Sequence, residues 1–189
     1  MRRLLLLAVL ALNVGQASAC PRRGQAEACP TFEAGAQHVV GMYGDNGDLE
    51  FDMSRGFGAH VEVFWSSAIS TRAAATFLNP AVYTPEVDLG TMGLDIWSAT
   101  ARWHLGRSRF SGYAGAGAAL VTIGNLEDRF GDTVEREFDP EVAAVVEGGV
   151  RYRIHPRIVL ELGGTYIPLQ VEEIAVDPLI VSAGAAWRF

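Results

Sequence analysis

In several otherwise apolar segments of this chain, the charged residues are separated by an even number of positions. Between residues 142 and 153, Glu147, Arg151 and Arg153 share one parity, while the opposite parity carries no charge. Alternate side chains of a pleated strand point to opposite faces of the sheet. Carboxylates and guanidiniums collected on one face could line a path for solutes, or they could neutralise one another in a salt-bridged plug.

The element that would position such side chains is clearest at the end of the chain. Within residues 177–189, apolar side chains alternate with small or polar ones, which is the period of two of a β-strand. One parity ends on Trp187 and Phe189. A strand that faces lipid places aromatic side chains at the membrane interface, so this pattern predicts a strand of a membrane barrel.

Seven further segments show the same alternation, and together they predict an all-β fold. Four longer loops and three tight turns separate them, marked by glycine, proline, asparagine and aspartate. A transmembrane helix needs about 20 apolar residues, and the sequence has no such run. We therefore expect an eight-stranded antiparallel up-and-down transmembrane β-barrel, with strands at 32–43, 55–66, 69–77, 94–105, 110–123, 142–153, 157–171 and 177–189.

A membrane environment decides which face of each strand points inward. A cationic side chain against lipid costs about 2 to 4 kcal/mol at the bilayer midplane, so the charged parity is predicted to face the lumen. Side chains can fill the interior of an eight-stranded barrel, and an isolated buried charge is very costly. The plug is therefore favoured over the solute path. The predicted lumen-facing polar residues are Glu62, Arg102, Glu147, Arg151, Glu161 and Arg188.

The start of the chain indicates export. Basic residues, the apolar run 4–12 and the small residues 17–19 follow one another, which is the order of a secretory signal peptide. In an oxidising periplasm Cys20 and Cys29 could form a disulfide, or Cys20, which directly follows the cleavage site, could carry a lipid. The predicted domains are a cleaved signal peptide at 1–19, an irregular periplasmic lead-in at 20–30 and the barrel at 31–189.

The charges are unevenly distributed along the chain. All 15 basic residues are arginine and the net charge is -7, which argues against a nucleic-acid partner because phosphates need cations. Acidic residues gather in the predicted extracellular loops at 45–52, 86–88, 127–141 and 172–177. The short periplasmic turns are predicted to carry Arg72, Arg107, Arg109 and Arg157. Loop 127–141 could bind divalent cations that bridge lipopolysaccharide, but it lacks calcium-loop spacing, so solvated acidic surface is favoured.

Three stretches of the second half resemble the outer-membrane protein W (OmpW) family, or the wider group of small eight-stranded outer-membrane barrels around it. They are 109–117, 148–154 and 176–189, and the last is similar to the family's Asp-Pro strand that closes on Tyr-Arg-Phe. The resemblance implies a monomer in the bacterial outer membrane, in contact with its lipids and lipopolysaccharide. It also implies insertion by the barrel-assembly machinery, which reads the terminal aromatics Trp187 and Phe189.

The same resemblance implies passage of small hydrophobic molecules. Such a channel or carrier should have an apolar patch high in the lumen and a lateral opening between strands, with Phe64, Ile96 and Ile167 as lining candidates. The alternative is a structural or adhesive barrel with a plugged lumen and its function in the acidic loops. A soluble calycin-like binder, with its apolar parity inside, is disfavoured by the terminal aromatics.

Catalysis is not predicted. Outer-membrane lipid A deacylases are barrels of similar size that use a His-x-Ser pair with a carboxylate. None of the four histidines, His38, His60, His104 and His155, has a serine two residues on, and no Gly-x-Ser-x-Gly elbow is present. The histidines are interpreted as strand or turn residues, and no metal or cofactor is expected.

Overall fold

Eight long strands close into a barrel in the computed structural model. They are β1 (Thr31–Met42), β2 (Ser54–Phe64), β3 (Ile69–Leu78), β4 (Asp88–Leu105), β5 (Phe110–Glu127), β6 (Glu141–His155), β7 (Ile158–Tyr166) and β8 (Leu179–Arg188). Each strand pairs antiparallel with the next, and β8 pairs with β1. This confirms the predicted architecture, in which closure protects the backbone hydrogen-bonding groups at the sheet edges.

The structure describes part of the chain. The described residues are 30–44, 50–83, 88–106, 109–127, 133–134, 139–171, 174–175 and 177–189. The predictions for the signal peptide, Cys20, Cys29, Arg107 and most of the acidic loops lie outside them. No helix in the described part is long and apolar enough to cross a membrane.

The connections define two ends of the barrel. Connections of two to four residues, at 65–68, 106–109 and 156–157, join β2 to β3, β4 to β5 and β6 to β7 at one end, which we call the turn end. Gly106 opens the second of these turns with φ of +97°, a conformation that glycine adopts without a steric penalty. The longer connections lie at the opposite loop end. In barrels of this architecture the short turns are periplasmic and the long loops extracellular.

Strand lengths differ from the predictions at the loop end. β4 and β5 run further than the alternation indicates, because their pairing continues to Thr91 opposite Glu127. By contrast, β7 ends at Tyr166, although the sequence predicts a strand to residue 171. Pro168 has no amide hydrogen to donate to a ladder. Beyond it, Gln170–Val171 and Ile174–Ala175 pair antiparallel as a separate two-stranded sheet.

The two faces of the barrel wall have opposite chemistry. Outward-facing apolar side chains are well exposed, as in Val142 at 72%. Inward-facing charged side chains are buried, as in Arg102 at 2%. Contact with lipid removes the unfavourable exposure of such an apolar exterior to water. The wall therefore has the polarity of a membrane barrel, the reverse of a soluble calycin-like binder.

Candidate functional site

Glutamates and arginines meet inside the turn-end half of the lumen and form a continuous set of ion pairs. We call this set the lumen charge network. Its four acids and four bases balance in formal charge and come from seven of the eight strands. Buried charges require such pairing because removing them from water is costly. The members are Glu33, Glu62, Glu147, Glu161, Arg72, Arg102, Arg151 and Arg188.

Arg102 on β4 is the centre of the network. Its Nε and Nη2 donate to the two carboxylate oxygens of Glu147 at 2.8 and 2.6 Å. Its Nη1 lies 3.4 Å from Glu62 and 3.3 Å from Glu161. The guanidinium carbon also lies 4.0 Å from the centroid of the Tyr113 ring. A planar fork with five donors suits this position, which the compact ammonium of lysine would not serve equally.

Neutral side chains complete the network. The hydroxyl of Tyr113 donates to Glu161 at 3.2 Å, and the amide oxygen of Gln37 accepts from Arg72 at 2.7 Å. Ser70 and Thr100 also donate to glutamates of the network, and His104 lies within hydrogen-bonding distance of Glu62. Hydrogen bonds of this kind make a buried polar network more rigid, although the Nε atoms of Arg72 and Arg151 have no hydrogen-bond partner within the described residues. The turn-end half of the lumen is therefore filled by its own side chains.

Glycines make room for Tyr113. A Cβ on Gly163 would lie 2.2 Å from the Tyr113 hydroxyl oxygen. Replacing Gly163 with valine should displace this ring from Arg102 and lower the free energy of unfolding by about 1 to 3 kcal/mol, the usual cost of overpacking. The matched control is Gly164→Val, because a Cβ at Gly164 meets nothing within 4 Å. Urea unfolding of the refolded variants tests this, and equal stabilities would contradict it.

Phe64 lies at the turn end of the lumen. Its ring centroid is 5.0 Å from the guanidinium carbon of Arg151 and 5.3 Å from that of Arg188, and both arginines pair with Glu33. The sequence predicts Phe64 in an apolar patch high in the lumen, and that placement is wrong. β2 runs toward the turn end, so its last residue lies among the cations.

The loop-end half of the lumen is apolar. Ile96 and Ile167, predicted as apolar lining residues, are buried here. Ile167 and Leu169 belong to the segment that follows β7 and turn into the lumen. Burial of such side chains is stabilising without any need for charge pairing. The complete cluster is Val39, Leu78, Leu94, Ile96, Ala119, Val121, Ala143, Val145, Ile167, Leu169 and Ile180.

Small side chains separate an internal cavity from an external groove. The cavity, about 20 Å³, lies between the charged and apolar halves and is lined by Ile96 and Ile167 among others; this space holds about one water molecule. The groove, about 440 Å³, lies on the lipid side and is lined largely by alanines. Ala74 on β3 and Ser98 on β4 line both spaces and are paired in register. The barrel wall is therefore thin at this pair.

Several solved structures share this arrangement of strands. OprG of Pseudomonas aeruginosa matches with a TM-score of 0.66 at 12% identity, over 85% of this chain and 95% of OprG. Neisserial surface protein A matches with a TM-score of 0.60 at 17% identity, over 85% of this chain and 97% of that protein. Ail, the attachment invasion locus protein of Yersinia pestis, matches with a TM-score of 0.58 at 15% identity, over 84% of this chain and 98% of Ail. The fold is that of bacterial outer-membrane barrels.

The match establishes the wider group that the sequence predicts. No protein-family model matches the chain, and no curated protein matches its sequence. At these low identities the structural likeness defines the fold alone. The barrel, apolar outside and charged inside, lies in the bacterial outer membrane, as the sequence predicts.

The structure brings all six predicted polar residues into the lumen charge network and adds two that were not predicted to face the lumen, Glu33 and Arg72. Glu33 lies on the same face of β1 as Gln37 and is the charged residue of this strand. Its charge therefore indicates that it faces the lumen. Arg72 is predicted in a periplasmic turn, and that prediction is wrong. It lies inside β3, opposite Glu62 on β2 and Thr100 on β4. The turn before it ends at residue 68, so the ladder already includes this position.

The histidines have unlike surroundings. His104 joins the network, with its Nε2 3.1 Å from Glu62. His60 is buried, and neither of its ring nitrogens has a hydrogen-bond partner within the described residues. His38 and His155 are exposed. Among the described side chains, no group of three or more histidine, cysteine, aspartate and glutamate residues is placed to hold a metal ion.

Proposed function

We propose that this outer-membrane barrel carries small apolar molecules, which enter its loop-end half and leave sideways into the membrane. The observation that supports this proposal is the thin wall at Ala74 and Ser98, which has the internal cavity on one side and the apolar groove on the other. A groove of about 440 Å³ falls within the range of pockets that bind small molecules. The apolar half of the lumen supplies the matching interior surface.

The lumen charge network determines where such a solute would leave. An apolar molecule that continued toward the turn end would have to separate ion pairs such as that of Arg102 and Glu147. Leaving a buried charge without its partner costs about 3 to 5 kcal/mol. Release through the wall avoids this cost but requires local opening of the ladder between β3 and β4, which is continuous at Ala74 and Ser98. The lumen charge network therefore blocks passage of the solute toward the turn end and is not part of its pathway.

A pair of lipid-facing substitutions tests the lateral route. Ala99 lines the groove, and Ala185 on β8 is likewise exposed on the lipid face. Phenylalanine at Ala99 should fill the groove and reduce entry of a fluorescent apolar solute to the rate of protein-free vesicles. Ala185→Phe should retain the wild-type rate. The measurement uses refolded protein in vesicles with lipopolysaccharide in the outer leaflet, and heat-modifiable gel migration verifies that each variant is folded.

Planar-bilayer recordings provide the second arm of this experiment. A filled lumen should give no discrete conductance steps, because a cavity of about 20 Å³ accommodates only about one water molecule. Equal solute entry with wild-type protein, with Ala99→Phe and without protein would refute the carrier. The plugged structural or adhesive barrel, with its function in the acidic loops, would then be the remaining interpretation.

We also propose membership of the outer-membrane protein W family and a non-enzymatic, monomeric state. The supporting stretches are 109–117, 148–154 and 176–189. Contacts with lipopolysaccharide and insertion by the barrel-assembly machinery belong to the same proposal, and the exposed Trp187 and Phe189 at the turn end support the insertion step. Removal of Phe189 should slow insertion in cells while refolding in detergent proceeds normally. An unchanged insertion rate would contradict this role.

A further inference from the structure

We propose that the turn end of the lumen contains a binding site for a phosphate group. A cavity of about 20 Å³ opens there, and four of the six residues that line it are arginines. Ser111 adds a hydroxyl group, and Val159 forms the remaining surface. The arginines are Arg109, Arg151, Arg153 and Arg188. This site lies on the periplasmic side of the network and is separate from the apolar route.

The charge balance leaves this cavity positive. The eight charges of the lumen charge network cancel, so Arg109 and Arg153 are additional to it. Within the described residues neither of these two side chains makes an ion pair. Glu33 is shared between Arg151 and Arg188. An anion would supply the missing counter-charge, since close like charges repel one another.

Two of the four arginines, Arg151 and Arg188, are held by neighbouring side chains before any ligand arrives, whereas Arg109 and Arg153 are exposed. The backbone amide of Arg153 donates to the carbonyl of Arg109 at 2.7 Å, which keeps the ends of β5 and β6 together. The ring of Phe64 lies beside both Arg151 and Arg188. Arg151 Nε is buried 3.3 Å from Glu161, yet it has no hydrogen-bond partner. Fixed donors of this kind bind with a smaller loss of conformational entropy.

Phosphate fits the donor set better than a simple halide. Guanidinium groups bind phosphate through two parallel N–H···O bonds. The cavity, about 20 Å³, is large enough for an oxygen atom of the group but not for the whole anion, since one water needs about 10 to 15 Å³ by this measure. The remainder of the ligand must project from the mouth. A headgroup phosphate of a lipid and a soluble phosphate both meet this requirement.

The site lies at the level of the membrane interface. The exposed side chains of Trp103 and Phe110 lie at the same end of the barrel. Aromatic girdles in outer-membrane barrels mark the membrane interface. Lipid phosphates lie at that level, and the periplasm also supplies soluble phosphates.

Calorimetric titration of inorganic phosphate into refolded protein tests the site. The protein is held in a maltoside detergent, which carries no phosphate. The double variant Arg109→Gln, Arg153→Gln should bind at least about tenfold more weakly than wild type, the loss expected for charge-assisted hydrogen bonds. The control Arg55→Gln changes an exposed arginine at the loop-end start of β2 and should leave the affinity unchanged. Heat-modifiable migration verifies folding.

Three outcomes decide the proposal and its ligand. No binding to wild type, or equal binding by the double variant, overturns the site. Binding in detergent that weakens in phospholipid nanodiscs supports it and identifies a lipid headgroup as the occupant, because the lipid then competes. Binding of equal strength in detergent and in nanodiscs also supports it and identifies a soluble phosphate.

Discussion

Replacing Arg102 with methionine should lower the free energy of unfolding by about 3 to 5 kcal/mol, the cost of removing one partner from a buried ion pair. The change leaves Glu62, Glu147 and Glu161 facing one another with one cation fewer. Because methionine fills a similar space, the decrease in the free energy of unfolding measures the loss of the charge and not the loss of side-chain volume. Urea unfolding followed by gel migration measures it in refolded protein.

Two further variants separate this effect from general damage to the barrel. Arg55→Met removes an exposed arginine from β2 and should change stability by less than about 0.5 kcal/mol, as surface substitutions usually do. Adding Glu147→Gln to Arg102→Met removes one unpaired carboxylate and should recover part of the loss. If Arg102→Met unfolds at the same urea concentration as wild type, the charges are not mutually dependent and the plug interpretation fails.

Placing an arginine at Leu162 should destabilise the protein by about 2 to 4 kcal/mol in a lipid bilayer, because the guanidinium would face hydrocarbon near the midplane. Leu162 lies in the middle of β7, opposite Val150 and Ala183, with 54% of its surface exposed. Reversible unfolding in phospholipid vesicles measures the difference. This is the largest effect expected from a substitution that touches no part of the lumen.

A second outward position tests the dependence on depth. Ile69 is 52% exposed and is the first residue of β3 at the turn end. Ile69→Arg should cost only about 0 to 1 kcal/mol, since the penalty falls toward the membrane interfaces. Equal penalties at Leu162 and Ile69 would show that the apolar face does not contact a bilayer core in the assumed orientation. A difference between them supports the membrane position of the barrel.

The sequence predicts the strands and their faces because both depend on local alternation. On β4 the inward positions of Ser98 and Arg102 and the outward positions of Trp97 and Trp103 follow from parity. Once one parity is assigned to lipid, the other must face the lumen. The membrane environment then explains why charges collect inside, and the eight-strand count follows from the turn signals.

Local alternation says less about where a strand ends. β7 stops at Tyr166 because the following segment contains Pro168 and turns into the lumen. The alternation continues through this region, so a reading of parity alone extends the strand to residue 171. In the same way, β4 and β5 extend further because each provides a partner for the other. The ends of these strands are set by pairing with a neighbouring strand, which the sequence of a single segment does not reveal.

Alternation along each strand is enough to predict an outer-membrane type of barrel and six charged side chains that point inward. Which of these side chains meet depends on how the barrel closes. Glu33 and Arg188 are 155 positions apart and form an ion pair because β8 closes against β1. Parity defines the face of a side chain, whereas its height in the lumen depends on the stagger of all eight strands. For that reason Phe64, Arg72 and the arginines at the turn end could be placed only after the barrel was closed.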